Sequence, residues 1–161
     1  MRNILGISEF MAMNESINDY TPALKSLIHT EKFKEWFGDW SDSGSDHSLV
    51  VDGDGYPLIM YHGSNVKGIE KFDMHDGAIG RGAYFTSSFS EACDYVREKF
   101  RADGLDEDDD GYMSEDDCFE YVGCYFLNVR DVNRIFNSKY GYGEICAMVI
   151  DNSEIMKIDL E

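Results

Sequence analysis

The sequence predicts a globular protein of the α+β class, and three observations indicate it. Hydrophobic residues make up 43% of the 161 residues and only two are proline, a composition that supports a packed core without long linkers. Apolar side chains recur at helical spacing over 21–37 and 88–101, and β-rich runs flank the second segment. Strands and helices do not alternate regularly, which favours antiparallel pairing. We expect residues 1–20 to form a loosely ordered lead-in and residues 21–161 one domain.

Two short helices are predicted at the start of this domain. Thr21 and Thr30 are suitable N-cap residues, and Pro22 fits the first position of a helix. The apolar side chains that follow the two caps at helical spacing are Leu24, Leu27 and Ile28, then Phe33, Trp36 and Phe37.

The strands are short and are separated by polar turns. A polar loop over 41–47 precedes two short predicted strands, 50–51 and 58–61, which enclose a tight turn. A third strand is predicted over 82–86, before the helix at 88–101. The remaining β-rich runs are 121–129, 145–150 and 155–160.

The net charge of −18 limits the partners of this protein. Such a charge disfavours direct binding to the backbone of nucleic acids. The acids are concentrated in 39–54 and 103–120, which we interpret as solvated loops or as a surface for a basic partner. No apolar run approaches the roughly 18 residues that span a membrane, and the first residues make a poor signal peptide. The four cysteines lack CxxC spacing, which predicts reduced thiols in a cytoplasm.

Part of the second acidic segment matches the ligand pattern of a calcium-binding EF-hand loop. The matching residues are Asp106, Asp108, Asp110, Gly111, Tyr112, Met113, Ser114 and Asp117. The last ligand is Asp rather than Glu, and the usual second hand is absent, so we predict no metal site and leave cation binding by this loop as the alternative.

Two motifs and one tyrosine carry the functional signal. Tyr61-His62-Gly63-Ser64 ends an apolar run, and Gly80-Arg81-Gly82-Ala83-Tyr84-Phe85 follows it. Tyr95 comes eleven residues after Tyr84. A histidine beside a glycine, together with two spaced tyrosines, predicts a pocket that holds a flat, polar ring from two sides.

These residues resemble the His-Tyr-Glu branch of the ADP-ribosyltransferases, which includes the poly(ADP-ribose) polymerases and the diphtheria-type toxins. The segments 33–40 and 50–58 are similar to ADP-ribosyltransferase domains of phage and mobile-element polyvalent proteins. The resemblance covers roughly residues 30–160. It implies an ADP-ribosyltransferase-like fold of two packed, mainly antiparallel β-sheets flanked by helices, with NAD as substrate, in the cytoplasm of a bacterium or phage-infected host.

The resemblance also implies roles for residues of the first motif. The residue matching His62 hydrogen-bonds a ribose of NAD, and the backbone of the residue matching Gly63 holds the carboxamide of nicotinamide. Ser64 matches a position that contacts the adenosine ribose. Arg81 is expected to place a cation near the anionic NAD.

The two tyrosines and a later glutamate complete the implied site. Tyr84 and Tyr95 match positions that flank or stack on nicotinamide. The glutamate stabilises the cationic sugar that forms when the nicotinamide–ribose bond breaks. Glu144 is our first candidate because a loop leads into it and an apolar strand follows it, and Glu154 is the second.

Two departures from the family pattern narrow the expected reaction. Tyr142 stands where many arginine-modifying members have Glu or Gln, which disfavours arginine as acceptor. Ala92 stands where the polymerases have a serine that bonds the carboxamide. The sequence therefore predicts an NAD-dependent mono-ADP-ribosyltransferase acting on a macromolecular acceptor, a protein of the host or of its defences. The alternatives are an NAD glycohydrolase and a catalytically silent acidic module that binds or inhibits a basic partner.

Overall fold

The computed structural model describes residues 21–102, 113–138 and 144–158, which form α-helices packed on an antiparallel sheet. The α-helices are α1 (Pro22–Ile28), α2 (Glu31–Phe37), α3 (Phe89–Ala102) and α4 (Glu115–Phe119). The strands are β1 (Met60–Gly63), β2 (His75–Gly77), β3 (Gly80–Thr86), β4 (Val122–Leu127), β5 (Ile135–Asn137), β6 (Ile145–Val149) and β7 (Ile155–Lys157). Short 3₁₀ turns at Val132–Arg134 and Asn152–Glu154 precede β5 and β7.

The seven strands of the described residues are connected in one sheet. Its order is β5-β6-β3-β1-β4-β7, with β2 paired to the first half of β3, and every pair is antiparallel. The α+β class and the antiparallel pairing are therefore confirmed. The predicted division into two packed sheets is not confirmed, because hydrogen bonds link all of these strands.

Both predicted helix caps are present. The Thr21 hydroxyl accepts the Leu24 N–H at 3.3 Å, and the Thr30 hydroxyl accepts the Phe33 N–H at 3.2 Å. Each bond satisfies an N–H that has no partner within its own helix, which explains where the two helices begin.

The sheet is buried on both faces, as the alternation along its strands shows. Tyr61 of β1 and Phe126 of β4 contribute to an apolar core shared with α1, α2 and α3. Their neighbours Met60 and Tyr125 contribute to a second core on the opposite face, with Phe72 and Phe85. Successive side chains of a strand point to opposite faces, so the face of any strand residue follows from these assignments.

The strands around the tight turn differ from the sequence prediction. Val51 and Pro57 form an isolated antiparallel bridge rather than two strands, and β1 begins only at Met60. The turn is held by the Asp52 carboxylate, which accepts the N–H groups of Asp54 and Tyr56. His62 and Gly63 lie within β1 rather than after it.

Some predictions concern residues outside the described ranges. They include the lead-in 1–20 and the proposed calcium ligands up to Tyr112. Ser114, which belongs to the same pattern, caps α4 by accepting the Asp117 N–H at 3.2 Å. Across the described ranges, no helix combines the length and apolar character needed to cross a membrane.

Candidate active site

The candidate site lies where β1 and β3 separate. The two strands are matched at Tyr61 and Thr86, and in that register the next matched residues of the same orientation would be Gly63 and Tyr84. Within the described part of the chain, the pairing does not extend to them, although β1 continues to pair with β4 through Gly63. The separation leaves a gap in the sheet beside Gly63.

The ring of His62 is fixed by a bond across this gap. Its Nδ1 lies 2.7 Å from the carbonyl oxygen of Tyr84, and because a carbonyl only accepts, Nδ1 carries the proton. Phe72 and Phe85 pack against the ring at centroid distances of 4.8 and 5.3 Å. Burial is the main cause that lowers the His62 pKa, with a smaller contribution from the charge of Lys99. His62 is therefore neutral at pH 7, and its Nε2 is a hydrogen-bond acceptor.

Gly63 is required by close packing and also presents its peptide groups to the gap. The neighbouring Ser64 N–H bonds the Tyr121 carbonyl on the β4 side, so the Gly63 N–H and C=O point to the β3 side. A Cβ at Gly63 would overlap the carbonyl oxygen of Ala92 in α3 and lie 3.0 Å from Val96 Cγ2. Only glycine lets α3 approach β1 this closely.

Tyr84 lies on the same face of the sheet as α3, because its neighbours Ala83 and Phe85 belong to the opposite core. Its hydroxyl donates to the Gly80 carbonyl at 2.6 Å and accepts the Ile79 N–H at 3.1 Å. These bonds fix the half-buried ring over the β2–β3 turn. Phe136 of β5 meets the ring edge-on at 6.3 Å.

Tyr95 lies on α3 and is 44% exposed. The apolar spacing of 92, 95, 96 and 100 suggests a core position, but only Ala92 and Val96 of this set are fully buried. Tyr95 is thus placed where its ring can contact a ligand on the face of the sheet that carries Tyr84.

Ser64 and Arg81 have structural partners in addition to their expected roles. The Ser64 hydroxyl donates to the Val66 carbonyl at 3.1 Å and accepts the Val66 N–H at 3.0 Å, which closes a local turn. Arg81 is exposed and lies 4.0 Å from Asp76, its cross-strand partner in the β2–β3 hairpin. Its charge remains accessible to an anion approaching the hairpin.

Glu144 precedes β6 and lies further along the strand direction than Tyr84. Met148 is paired with Tyr84, so Glu144 is four residues, or about 13 Å, away along the strand direction. Its carboxylate accepts the hydroxyl of Ser87, whose oxygen also accepts the Ile145 N–H. These three residues line a cleft of about 350 Å³ with Val51, Asp52, Gly53 and Leu58.

A second carboxylate belongs to Glu91 in the first turn of α3. It is buried on the face of the sheet that carries Tyr84. It is only 4% exposed, yet the sequence analysis did not single it out. Hydroxyl groups of Thr86 and Ser138 donate to its Oε2 at 3.0 and 2.6 Å. Among the described residues, its Oε1 has longer contacts, to the Tyr95 hydroxyl at 3.5 Å and the Cys146 sulfur at 3.8 Å. The sequence gives no distinct signal for it, because Ser88 and Glu91 have the spacing of an ordinary helix cap.

Glu154, the second candidate from the sequence, stabilises the turn before β7. Its carboxylate accepts two bonds from the Arg134 guanidinium, at 3.0 and 2.8 Å, and the N–H groups of Ile150 and Asp151. The hydrogen bond with Glu154 raises the pKa of Arg134. Glu154 also completes a capping box with Asp151. These contacts account for Glu154 structurally.

One comparison with known proteins gave a match. Residues 52–107 match the family model described as ADP-Ribosyltransferase in polyvalent proteins. The matched segment contains β1, β2, β3 and α3, which carry His62, Gly63, Tyr84 and Tyr95. The match supports an ADP-ribosyltransferase. Comparisons with curated proteins and with solved structures gave no significant match.

Potential metal ligands do not cluster in the described part of the chain. In residues 21–102, 113–138 and 144–158, no group of three or more His, Cys, Asp or Glu side chains is arranged to hold an ion. All four cysteines are buried thiols, and burial raises the pKa of Cys146 to about 11.

Proposed function

We propose that this protein is an NAD-dependent mono-ADP-ribosyltransferase that transfers ADP-ribose to a macromolecular acceptor, a protein of a host or of its defences. The observation that carries the proposal is the state of His62. A neutral imidazole with its proton fixed on Nδ1 offers Nε2 as an acceptor for a ribose hydroxyl, at the point where β1 and β3 separate.

The backbone beside His62 supports the same substrate. A primary carboxamide has one acceptor oxygen and two donor hydrogens, so it pairs with a peptide that presents both N–H and C=O on one side. Gly63 presents both groups toward the gap, and Ala92 provides no side-chain bond there. We therefore expect the carboxamide to form two hydrogen bonds with the Gly63 backbone.

The two tyrosines supply the apolar walls. Tyr84 is fixed by its hydroxyl, whereas Tyr95 is exposed on α3 and can adjust to a ring. A planar, positively charged nicotinamide stacks well between electron-rich rings. Arg81 can reach toward the diphosphate, whose charge the strongly acidic protein would otherwise repel.

The reaction further needs a carboxylate near the ribose. The nicotinamide–ribose bond breaks with its electron pair passing to the ring nitrogen, which leaves a cationic sugar. A fixed carboxylate lowers the energy of that cation. The predicted Glu144 and the buried Glu91 are the candidates, and the Ser138 residue links them by donating its N–H to the Glu144 carbonyl and its hydroxyl to Glu91.

Radiolabelled NAD incubated with the protein and a bacterial lysate tests the proposal. We expect nicotinamide to be released and label to appear on lysate proteins, which mass spectrometry then identifies. His62→Ala should reduce both signals by about 100-fold, and His75→Ala, an exposed histidine of β2, should not.

The other outcomes distinguish the alternatives. Label recovered only as ADP-ribose identifies a glycohydrolase. Neither release nor transfer, together with salt-sensitive capture of a basic protein that His62→Ala leaves unchanged, identifies a silent acidic module.

A further inference from the structure

We propose that Asn152, in the turn before β7, is a positioning residue for His62. Its side-chain amide fixes the backbone of Phe72, and the Phe72 ring holds the imidazole in place on the sheet. The importance of His62 for activity rests on the proposed NAD chemistry, whereas the connection from Asn152 through Phe72 to His62 does not.

The first step is a pair of hydrogen bonds between Asn152 and Phe72, which are 80 positions apart in the chain. Asn152 Oδ1 accepts the Phe72 N–H at 2.8 Å, and Asn152 Nδ2 donates to the Phe72 carbonyl at 3.0 Å. Phe72 belongs to the segment 64–74 between β1 and β2, which the structure describes throughout and which contains no helix or strand. The amide carries a donor and an acceptor side by side, so it takes the place of a neighbouring strand for this one residue.

The second step is the contact between the Phe72 ring and His62. The two rings meet edge-on, with their centroids 4.8 Å apart and their planes at 81°. The Phe72 ring also packs against Phe85 at 5.1 Å and Tyr125 at 5.3 Å, and it is buried in the second core. Phe85 and Tyr125 lie on strands and are held by the sheet, whereas both peptide groups of Phe72 are bonded by Asn152.

The third observation is that the turn itself does not require an asparagine. The 3₁₀ turn that begins with Asn152 has a counterpart that begins with Val132, and a three-residue strand follows each turn. Asp131 and Asp151 cap the two turns in the same way, each accepting the N–H two residues later, at 2.9 and 2.8 Å. Because an exposed valine serves at the equivalent position, the particular contribution of Asn152 is its pair of bonds to Phe72.

The consequence for His62 follows from what acts on its ring. Burial is the main cause that lowers the pKa of His62, whereas the bond to the Tyr84 carbonyl raises it, and the charges of Lys99 in α3 and His75 in β2 lower it further. A displaced Phe72 ring would admit water to the imidazole and raise its pKa. It would also let the imidazole turn, which misplaces Nε2 relative to a bound ribose.

The test compares Asn152→Val with Asn133→Val in the whole protein. Asn133 is an exposed residue of the other turn, and its bond to Asp131 uses the main-chain N–H. The His62 ring signals are followed by NMR as the pH is varied, and they are assigned by their loss in His62→Ala. In Asn152→Val we expect a His62 pKa closer to the ordinary 6.5 than in the wild type, and solvent exchange of the Nδ1 proton at least about tenfold faster.

The control variant Asn133→Val should match the wild type in both quantities. If Asn152→Val also matches the wild type in both, the inference is overturned.

The kinetics of nicotinamide release give a second readout. Between pH 5 and 8, Asn152→Val should lower kcat by about tenfold while KM stays within about threefold. Its activity should also begin to decline at a higher pH than that of the wild type as the solution is acidified, because His62 must be neutral. A kcat and an acid limb equal to those of the wild type would contradict the inference.

A double-mutant cycle with Phe72→Leu shows whether Asn152 acts through the Phe72 ring. In that background the ring is already absent, so Asn152→Val should reduce release by less than about threefold. Equal losses in the two backgrounds would mean that Asn152 acts by another route, and would overturn the inference.

Two further outcomes keep the inference separate from folding and from the proposed function. Where Asn152→Val does not fold, Asn152→Asp keeps the acceptor for the Phe72 N–H and removes the donor. The His62 signals should then shift in the same direction, and unshifted signals oppose the inference. Where the wild type releases no nicotinamide from NAD, the proposed function fails, and the NMR comparison alone upholds or overturns the connection between Asn152 and His62.

Discussion

Replacing Gly63 by alanine should separate the packing role of this glycine from its backbone role. The added Cβ would lie 2.9 Å from the Ala92 carbonyl carbon, 0.5 Å inside the 3.4 Å at which ordinary van der Waals contact begins, and closer still to the oxygen. The obstacle is the backbone of α3, so no rotamer change can relieve it, and the helix must move away from β1.

The cost follows from this geometry. Overpacking of a close-packed interior typically costs about 1–3 kcal/mol, and a clash with backbone belongs at the upper end. For a domain of this size, about 3 kcal/mol lowers the unfolding temperature by roughly 6–12 °C. The proposed NAD affinity should fall as well, because the shift of α3 carries Tyr95 away from the gap.

The assay is thermal unfolding followed by circular dichroism, with Gly53→Ala as the control. A Cβ at Gly53 meets no atom within 4 Å, so this variant should unfold within about 2 °C of the wild type. Equal unfolding temperatures for Gly63→Ala and Gly53→Ala would refute the packing argument.

Three other predictions follow from the contacts. Glu154→Gln should lower the free energy of unfolding by about 1–3 kcal/mol in urea titrations, because it weakens the Arg134 ion pair, and should leave nicotinamide release unchanged; a catalytic loss with normal stability would contradict this. Burial keeps the pKa of His62 in the folded protein below its ordinary 6.5, so the histidine contribution to stability is constant above pH 6.5 and is lost as the pH falls below it. Unfolding temperatures measured from pH 8 to 5 should therefore fall more steeply below pH 6.5 for the wild type than for His62→Asn, and parallel curves would count against a buried neutral imidazole. The native protein should resist thiol reagents at pH 8, since Cys146 has a pKa of about 11 and all four thiols are buried, and all four should react after denaturation.

The local features of the fold could be predicted from the sequence. Thr21 and Thr30 determine where the first two helices begin, because capping depends on residues close in the chain. The same holds for the helix α3, whose bounds follow from its apolar spacing and from Ser88. The strand order depends on contacts between distant segments, such as β3 with β6, and no local pattern specifies them.

Residues of the candidate site could be predicted where they belong to a sequence motif. They could not be predicted where only tertiary packing places them. The His62 ring bonds the Tyr84 carbonyl beside Gly63 because β1 and β3 are neighbours, although the side chains of His62 and Tyr84 lie on opposite faces of the sheet. The burial of Glu91 was harder to predict, because Glu91 has the sequence spacing of a capping residue relative to Ser88. The hydroxyl bonds from Thr86 and Ser138 show that its carboxylate is directed into the protein instead.

Release of nicotinamide from NAD, measured over time by chromatography, tests the central claim most directly. The wild type and His75→Ala should release it at equal rates, and His62→Ala should be slower by about 100-fold. If the wild type releases no nicotinamide in the presence of lysate acceptors, or if His62→Ala releases it at the rate of the wild type, the gap between β1 and β3 is not the catalytic site for NAD cleavage.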